Sequence, residues 1–410
     1  MNSTLELRSI GSLLSEHFSG AWGVDPSLAL PNATVLRSTD IDDEGHVELS
    51  RGVRRHLSPR ELSSRRLRPG DILLEASGGG PGKPVGRPAW FSDETIAGCY
   101  ATSNFFKVLR ADAKSVDAKF LLYALLLLVK RPEIWRFQQQ TTGITNLKFS
   151  EYLKHEIVIP SLMDQRRIAE VLDALDDQIR SGGLIFTKLQ DLKRGVLRDL
   201  LVVRPNTLSG TRRGILDDFV DWASGGTPSK SNAQYWNGSI PWVTPKDMKS
   251  ALLQRTADSL TSRGVSAGSR LAPEEAVFIV VRGMILAHTF PVSRVPRVAA
   301  FNQDVKAVVP RGDLLPEYLK YWFMANADTF LRLVGESTHG TKKLDLPDLK
   351  SIPAAIPAMH EQRRTLSMLH TLDARIGFET DLLQKLRREK AGVLTDLLSG
   401  YVRVPQETAS

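Results

Sequence analysis

The segment PSLMDQRRIAEVLDALDDQI at 160–179 returns as PAMHEQRRTLSMLHTLDARI at 357–376. The displacement, 197 residues from Pro160 to Pro357, holds without a gap from Gly143/Gly340 through Leu201/Leu398. Identical pairs include Gln165/Gln362, Arg166/Arg363, Arg167/Arg364, Asp176/Asp373, Ile179/Ile376, Lys193/Lys390 and Asp199/Asp396. A register kept over that length marks an internal duplication, so whatever this stretch folds into, it folds into twice.

Each copy predicts a long helix. Pro160 and Pro357 stand just before the start, where proline is tolerated. Ser161 with Asp164 forms a capping-box pattern; the second copy has Ala358 and Glu361, keeping the acid and losing the cap oxygen. Apolar residues then follow a seven-residue register: Ile168, Val171, Leu175, Ile185, Leu189, Leu192 and Val196 in the first copy, flanked by Leu172, Ile179, Phe186 and Leu200, and Met368, Leu372, Leu382, Leu386 and Val393 in the second, flanked by Leu369, Ile376, Leu383 and Leu397. That stripe suits a coiled-coil seam, and two such helices in one chain most simply pair with each other, antiparallel. About 40 helical residues would make a rod of roughly 60 Å. Gln178, Gly182 and Gly183 interrupt the first stripe and predict a bend or local break there.

The segments outside the rods, 1–159 and 205–356, match each other faintly. DILLEASGG (71–79) has a counterpart in EAVFIVVRG (275–283), and each segment carries a late apolar helical stretch, AKFLLYALLLLV (118–129) and PEYLKYWFMANA (316–327). Short strands, Gly/Pro turns and one late helix predict a mixed globule. The expected fold is α+β: two mixed α/β domains, 1–159 and 205–356, separated by long helices at 160–204 and 357–400 that pair as an antiparallel coiled coil, with a tail at 401–410.

Several chemistries find no support. The stretch ASGGGPGKPVGR (76–87) resembles a phosphate-cradling loop, but Pro84 follows Gly82-Lys83 where a P-loop needs a hydroxyl, and Ser77 occupies the position of its first glycine. Pro84 and Pro88 also deny it the helix whose amides would complete an anion site. The sequence has no H-E-x-x-H, no G-x-S-x-G and no N-P-P-[FYW], and the eight histidines do not cluster at metal-ligand spacings. Asp71 and Glu75 straddle a strand at nuclease-like spacing, without the lysine that should follow Glu75. The single cysteine, Cys99, cannot form an internal disulfide and points to a reducing compartment. The N-terminus lacks a signal-peptide pattern, and the longest apolar run, Phe120 to Val129, is about half a bilayer span. The expectation is a soluble, cytoplasmic chain with no membrane partner.

What remains points to a polyanion. Formal charge is +8, and RGVRRHLSPRELSSRRLR sets Arg51, Arg54, Arg55, Arg60, Arg65, Arg66 and Arg68 against Glu61 alone. Arginine donors suit phosphate geometry, although a solvated strip would look the same. SGGTPSKSNAQYWNGSIPWVTPKDMKS (224–250) mixes lysines with aromatics, a pattern that can hold nucleic acid; Trp242 could equally fill a core. Just before each rod stands a polar knot, TTGITNLKF (141–149) and STHGTKKLD (337–345), aligned at the same displacement. A shared role and a simple turn into a strand are both open for these knots. The candidate contacts to such a polyanion are Lys83, Arg87, Thr145, Asn146 and Lys148 in the first half, and Thr227, Lys230, Trp242, Lys246, Lys342 and Lys343 in the second.

Taken in order, GDILLEASGGGPGKPVGR, GGTPSK…YWNG…IPWV, the Gly-containing turns before the (D/E)QRR segments and the two rods with their VL-x-DLL endings resemble the specificity subunit of type I restriction–modification systems over nearly the whole chain. The resemblance implies that 1–159 and 205–356 are target-recognition domains, each reading one half of a split double-stranded DNA target, with DNA as the polyanion those candidates contact. It implies that the helices fix the gap and dock two methyltransferase subunits, and that restriction (translocase/endonuclease) subunits join them in defence against foreign DNA. It further implies a non-catalytic chain that binds no cofactor, with S-adenosylmethionine, ATP and Mg on the partner subunits. A stand-alone nuclease or modification enzyme, and a coiled-coil scaffold with no DNA role, are the rival classes.

Overall fold

The structure is a computed structural model and describes residues 5–78, 82–92, 98–141, 143–203, 210–337 and 340–399. The expected tail at 401–410 lies outside the described residues. The chain divides into two compact units, residues 1–182 with 382–410 and residues 183–381. Each unit therefore owns a piece of both long helices.

In unit 1 the central sheet has four antiparallel strands in the order Leu14–Ser19, Phe106–Ala111, Ile72–Glu75 and Pro88–Trp90. Ile72–Glu75 is buried at every position, as an interior strand with both faces covered should be. A second sheet joins Val53–Arg55, Ala33–Leu36 and Tyr100–Thr102, the last two running parallel. Helix Ala118–Lys130 starts where the Asp117 carboxylate accepts from the Lys119 and Phe120 amides, both at 3.0 Å. Phe120, Leu121 and Leu125 bury completely, in one cluster with Ile72 and Leu74.

Unit 2 repeats this plan with other letters. Its four-stranded sheet runs Val220–Ser224, Val305–Pro310, Val277–Val280 and Val292–Arg294. The second sheet contains Trp236–Val243 parallel to Ala299–Phe301, as Ala33–Leu36 is to Tyr100–Thr102 in unit 1. Helix Pro316–Ala325 opens on proline at its first turn and packs Leu319, Trp322 and Phe323 into the core. Each unit also closes on itself: Glu6–Ser9 pairs with Glu156–Ile159, and Arg212–Ile215 with Pro353–Ile356, immediately before a long helix.

The long helices are Leu162–Arg198 and Met359–Leu398, about 55 and 60 Å at 1.5 Å per residue. Ser161 caps the first as expected, its hydroxyl accepting from the Asp164 amide at 3.2 Å. In unit 1 the two segments run antiparallel: Asp176 meets Lys390 at 2.5 Å, and six residues on, Gly182 faces Leu383. In unit 2, Lys193 meets Asp373 at 2.5 Å.

Two expectations are corrected. The first helix runs unbroken through Gly182-Gly183. Gly182 is buried, and a Cβ there would stand 3.0 Å from Leu383 Cδ2, so this glycine is a notch for close approach. The buried seam also takes only part of the expected stripe. Ile168 and Leu386 of the stripe and its flanking Leu172, Leu369 and Leu383 are buried, whereas Val171, Ile185, Leu192 and Met368 of the stripe are exposed. Among the described residues, no helix is long and apolar enough to cross a membrane.

Candidate nucleic-acid interface

The glycine-rich strand end and the polar knot, separate in sequence, meet in unit 1. Gln138–Thr141 and Ile144–Leu147 form an antiparallel ribbon, and Ser77-Gly78 adds to its second strand with Thr145 opposite Gly78 and Asn146 opposite Ser77. The Leu147 amide donates to the Ala76 carbonyl at 2.8 Å, fixing the ribbon on the end of the central strand. Gly143 turns the hairpin at φ +82° and Gly78 sits at +139°, conformations a side chain would strain. The Ser77 hydroxyl donates to Asn146 Oδ1 at 2.7 Å.

Unit 2 builds the same device. The Leu344 amide donates to the Val281 carbonyl at 2.8 Å, the Gly283 amide to the Lys342 carbonyl at 2.9 Å, and Arg282 bridges Lys343. Gly340 and Gly283 take φ +77° and +140°, matching Gly143 and Gly78. Lys342-Lys343 pairs with Gly335-Glu336. The polar knots are thus hairpins docked on the same strand end in both units.

The other sequence-predicted contacts divide into surface and structural residues. Lys83 and Lys230 are exposed. Thr227 is exposed and donates to Gln303 Oε1 at 2.7 Å; Lys246 is exposed and pairs with Asp258 at 2.8 Å, which raises its pKa. Lys342 and Lys343 are half-buried and pair with Glu336 at 2.8 Å and Asp345 at 3.0 Å. Lys148 is half-buried, with its amide donating to the Phe137 carbonyl at 2.7 Å.

Two candidates are corrected. Trp242 is only 3 % exposed, its indole N–H donating to the Gly226 carbonyl at 3.2 Å and its ring edge-on to Trp236 at 5.0 Å, so it supports the 224–250 loop from inside the unit. Arg87 faces inward: Nε and Nη2 grip the Glu75 carboxylate at 2.8 and 2.9 Å, and Nη1 reaches Asp43 at 3.2 Å. Those carboxylates hold the guanidinium charged, well above its ordinary pKa, and occupy the donors a phosphate would need.

The nuclease-like pair is likewise internal. Glu75 is taken by Arg87, and the buried Asp71 accepts from Arg110 at 2.8 and 2.9 Å. Each carboxylate is balanced by a fixed arginine. Burial pushes the half-buried Cys99 thiol up, away from thiolate chemistry. Of the arginine strip, Arg51, Arg54, Arg60, Arg66 and Arg68 are exposed, while Arg55 turns to Asp25 at 2.6 Å and Arg65 to the Ser19 carbonyl at 2.9 Å.

Sequence reasoning passed over the first strand of the ribbon. Gln139 and Gln140 are exposed there, opposite Asn146 and Thr145. Their only signal was a run of three glutamines next to a turn. Arg282, whose side chain is 58 % exposed, was hidden at the end of an apolar strand.

A model of the type I restriction modification DNA specificity domain matches residues 63–185 and 214–388, well over half of the chain. The chain belongs to this family. The specificity subunit of the Escherichia coli type I restriction enzyme EcoR124I/EcoR124II is 31 % identical over 191 residues, 45 % of this chain and 47 % of that protein. The match thus spans about half the length of that relative. A type I restriction–modification S subunit from M. genitalium superposes with a TM-score of 0.57 at 15 % identity, covering 99 % of this chain and 98 % of the other. A chain from a type I R-M system, solved for its complex assembly and conformational transition, gives 0.58 at 17 % identity over 98 % and 99 %. At such identities the likeness is one of fold, and it extends over both specificity domains. Each family match contains one central strand, one late helix and one docked hairpin.

Proposed function

We propose that this chain is the DNA-reading subunit of a type I restriction–modification complex, in which each unit reads one half of a split double-stranded target. The observation that supports this most directly is the docked hairpin. The same backbone device appears once per unit, carrying Gln139, Thr145 and Asn146 in one and Arg282, Lys342 and Lys343 in the other. One scaffold presenting two different polar surfaces is what reading two different half-sites requires. Exposed Lys83, Lys230, Lys246 and the five outward arginines would supply phosphate contacts, which give affinity and little sequence information.

In this reading the paired helices hold the spacing and dock two methyltransferase subunits. Restriction subunits join that assembly in the cytoplasm. S-adenosylmethionine, ATP and Mg act on those partners, and this chain contributes recognition without catalysis. The test is a map of methylated adenines in the host with and without the gene. A two-part motif with a fixed gap should vanish with the gene. Its persistence, or loss of a continuous motif, would reject the proposal.

A further inference from the structure

The docked hairpin has an inner and an outer row. Leu147 and Leu344 are buried, and Gln138 turns its amide to the Val85 backbone, donating at 3.1 Å and accepting at 2.9 Å. Side chains alternate across a strand, so the neighbouring positions face away from the core. In unit 1 these are Gln139, Asn146 and Ser77, directly opposite one another across three strands. In unit 2 the same positions hold Gly335, Lys343 and Arg282. Opposed residues share a face with Cβ atoms about 5 Å apart, a spacing that lets two side chains address neighbouring groups on one ligand.

We propose that this outer row is the base-reading row: Gln139 and Asn146 hydrogen-bond base edges in one half of the target, and Arg282 with Lys343 in the other. The inference rests on the DNA-reading function proposed above and assigns its specificity residues. A two-stranded ribbon is one of the two backbone forms the major groove admits. Carboxamides pair with the N6/N7 edge of adenine, and arginine or lysine with the O6/N7 edge of guanine, so the two units carry different codes on one frame. Ser77 donates to Asn146 Oδ1 and so orients that amide. Arg282 is held only loosely, 4.0 Å from Asp304, and Lys343 shares its charge with Asp345. Cations flank the unit 1 ribbon, with exposed Arg131 and Arg136 before it and Lys148 after it, where backbone phosphates would lie.

The experiment expresses the full chain with its methyltransferase subunits and maps the methylated motif genome-wide for wild type, Gln139→Ala, Gln139→Arg and Arg282→Gln. All three substitutions fall on exposed positions, and neither side chain fills a core. Gln139→Ala should relax one position of one half-site, cutting discrimination there by about 5- to 150-fold, the span of one bidentate pair. Gln139→Arg should move that position toward guanine, and Arg282→Gln should move one position of the other half toward adenine. Any of these variants leaving the motif unchanged, or lowering methylation equally at every site without altering the motif, would overturn the proposal. If wild type yields no split motif, it is the underlying function that fails, and the two failures are told apart in the same data.

Discussion

Replacing Lys390 with methionine removes one ammonium and little else, so its effect can be worked out from its surroundings. Lys390 is 5 % exposed; its Nζ lies 2.5 Å from Asp176 and 3.2 Å from Glu44, 5.9 Å over the Tyr123 ring. The Asp176 side chain is 13 % exposed, and the Tyr123 hydroxyl is 2.8 Å from its other oxygen. Burial, with Asp173 and Asp176 nearby, pushes the Tyr123 pKa up, so this hydroxyl stays a donor. Lys390→Met leaves Asp176 mostly buried, without its lysine and beside a hydroxyl that also lies 2.7 Å from Asp173. Breaking such a pair costs about 3–5 kcal/mol, and the surviving hydrogen bond places this case near the low end, at about 3 kcal/mol.

The reciprocal pair in unit 2 gives an internal scale. Lys193 and Asp373 are 21 % and 35 % exposed, so solvent screens them and Lys193→Met should cost about 1 kcal/mol. For a unit of this size, 1 kcal/mol shifts Tm by about 2–4 °C. Calorimetric unfolding of the full chain should therefore lower the unit 1 transition by about 6–12 °C for Lys390→Met and the unit 2 transition by about 2–4 °C for Lys193→Met. Adding Asp176→Asn to Lys390→Met removes the orphaned charge and should recover about 2 kcal/mol, a coupling within the usual range for contacting residues. Equal effects at the two lysines, or a double variant as unstable as the sum of its singles, would contradict a buried, uncompensated Asp176 as the cause.

Three further outcomes follow from local geometry. Gly182→Val should destabilise by about 1–3 kcal/mol by crowding Leu383, while Gly183→Ala, whose Cβ meets nothing within 4 Å, should stabilise by about 0.5–1 kcal/mol; denaturant melts distinguish the two signs. Gln362→Leu strips partners from the Leu315 amide (2.9 Å) and the Pro357 carbonyl (2.9 Å), costing about 2–6 kcal/mol at roughly 1–3 per orphaned group, and hydrogen exchange at Leu315 should accelerate. His46 is held above its ordinary pKa by its hydrogen bond to Asp42 at 2.9 Å, and Asp42, although burial opposes it, is held below its own by His46. The His46 contribution is full below its unfolded pKa and disappears as pH rises through the folded value; that of Asp42 disappears as pH falls through its lowered value. NMR titration of His46 should therefore show a raised pKa that returns toward about 6.5 in Asp42→Asn.

The duplication was legible in part because several of its identities are tertiary contacts. Gln165 and Gln362 recur since each carboxamide accepts from one buried amide, of Asp117 or Leu315, and donates to the carbonyl of Pro160 or Pro357. Asp176/Asp373 and Lys193/Lys390 recur since each copy's aspartate meets the other copy's lysine. The common plan of the two units was fainter, because an interior strand accepts any apolar run; Ile72-Leu73-Leu74 and Val277-Phe278-Ile279 do the same work. Gly182 could not be read, since a helical glycine weakens a free helix and serves a packed one, and only Leu383 decides between them. Arg87 and Trp242 misled for a similar reason: the residue types that hold DNA also close buried ion pairs and cores.

That division also explains how one frame can carry two codes. The bonds docking each hairpin, Leu147 to Ala76 and Leu344 to Val281, run between main-chain atoms and are indifferent to the side chains beside them. The glycines that turn it, Gly143 and Gly340, are fixed by backbone angle, and the leucines beneath it by burial. The outer positions are unconstrained by these requirements, and there the units differ: Gln139, Asn146 and Ser77 against Gly335, Lys343 and Arg282. An exposed substitution in that row costs the fold within about 0.5 kcal/mol, yet one bidentate contact changes base discrimination by about 1–3 kcal/mol. Recognition can therefore change at these positions while stability hardly moves, so melts of Gln139→Arg and Arg282→Gln should overlay wild type even as their motifs diverge.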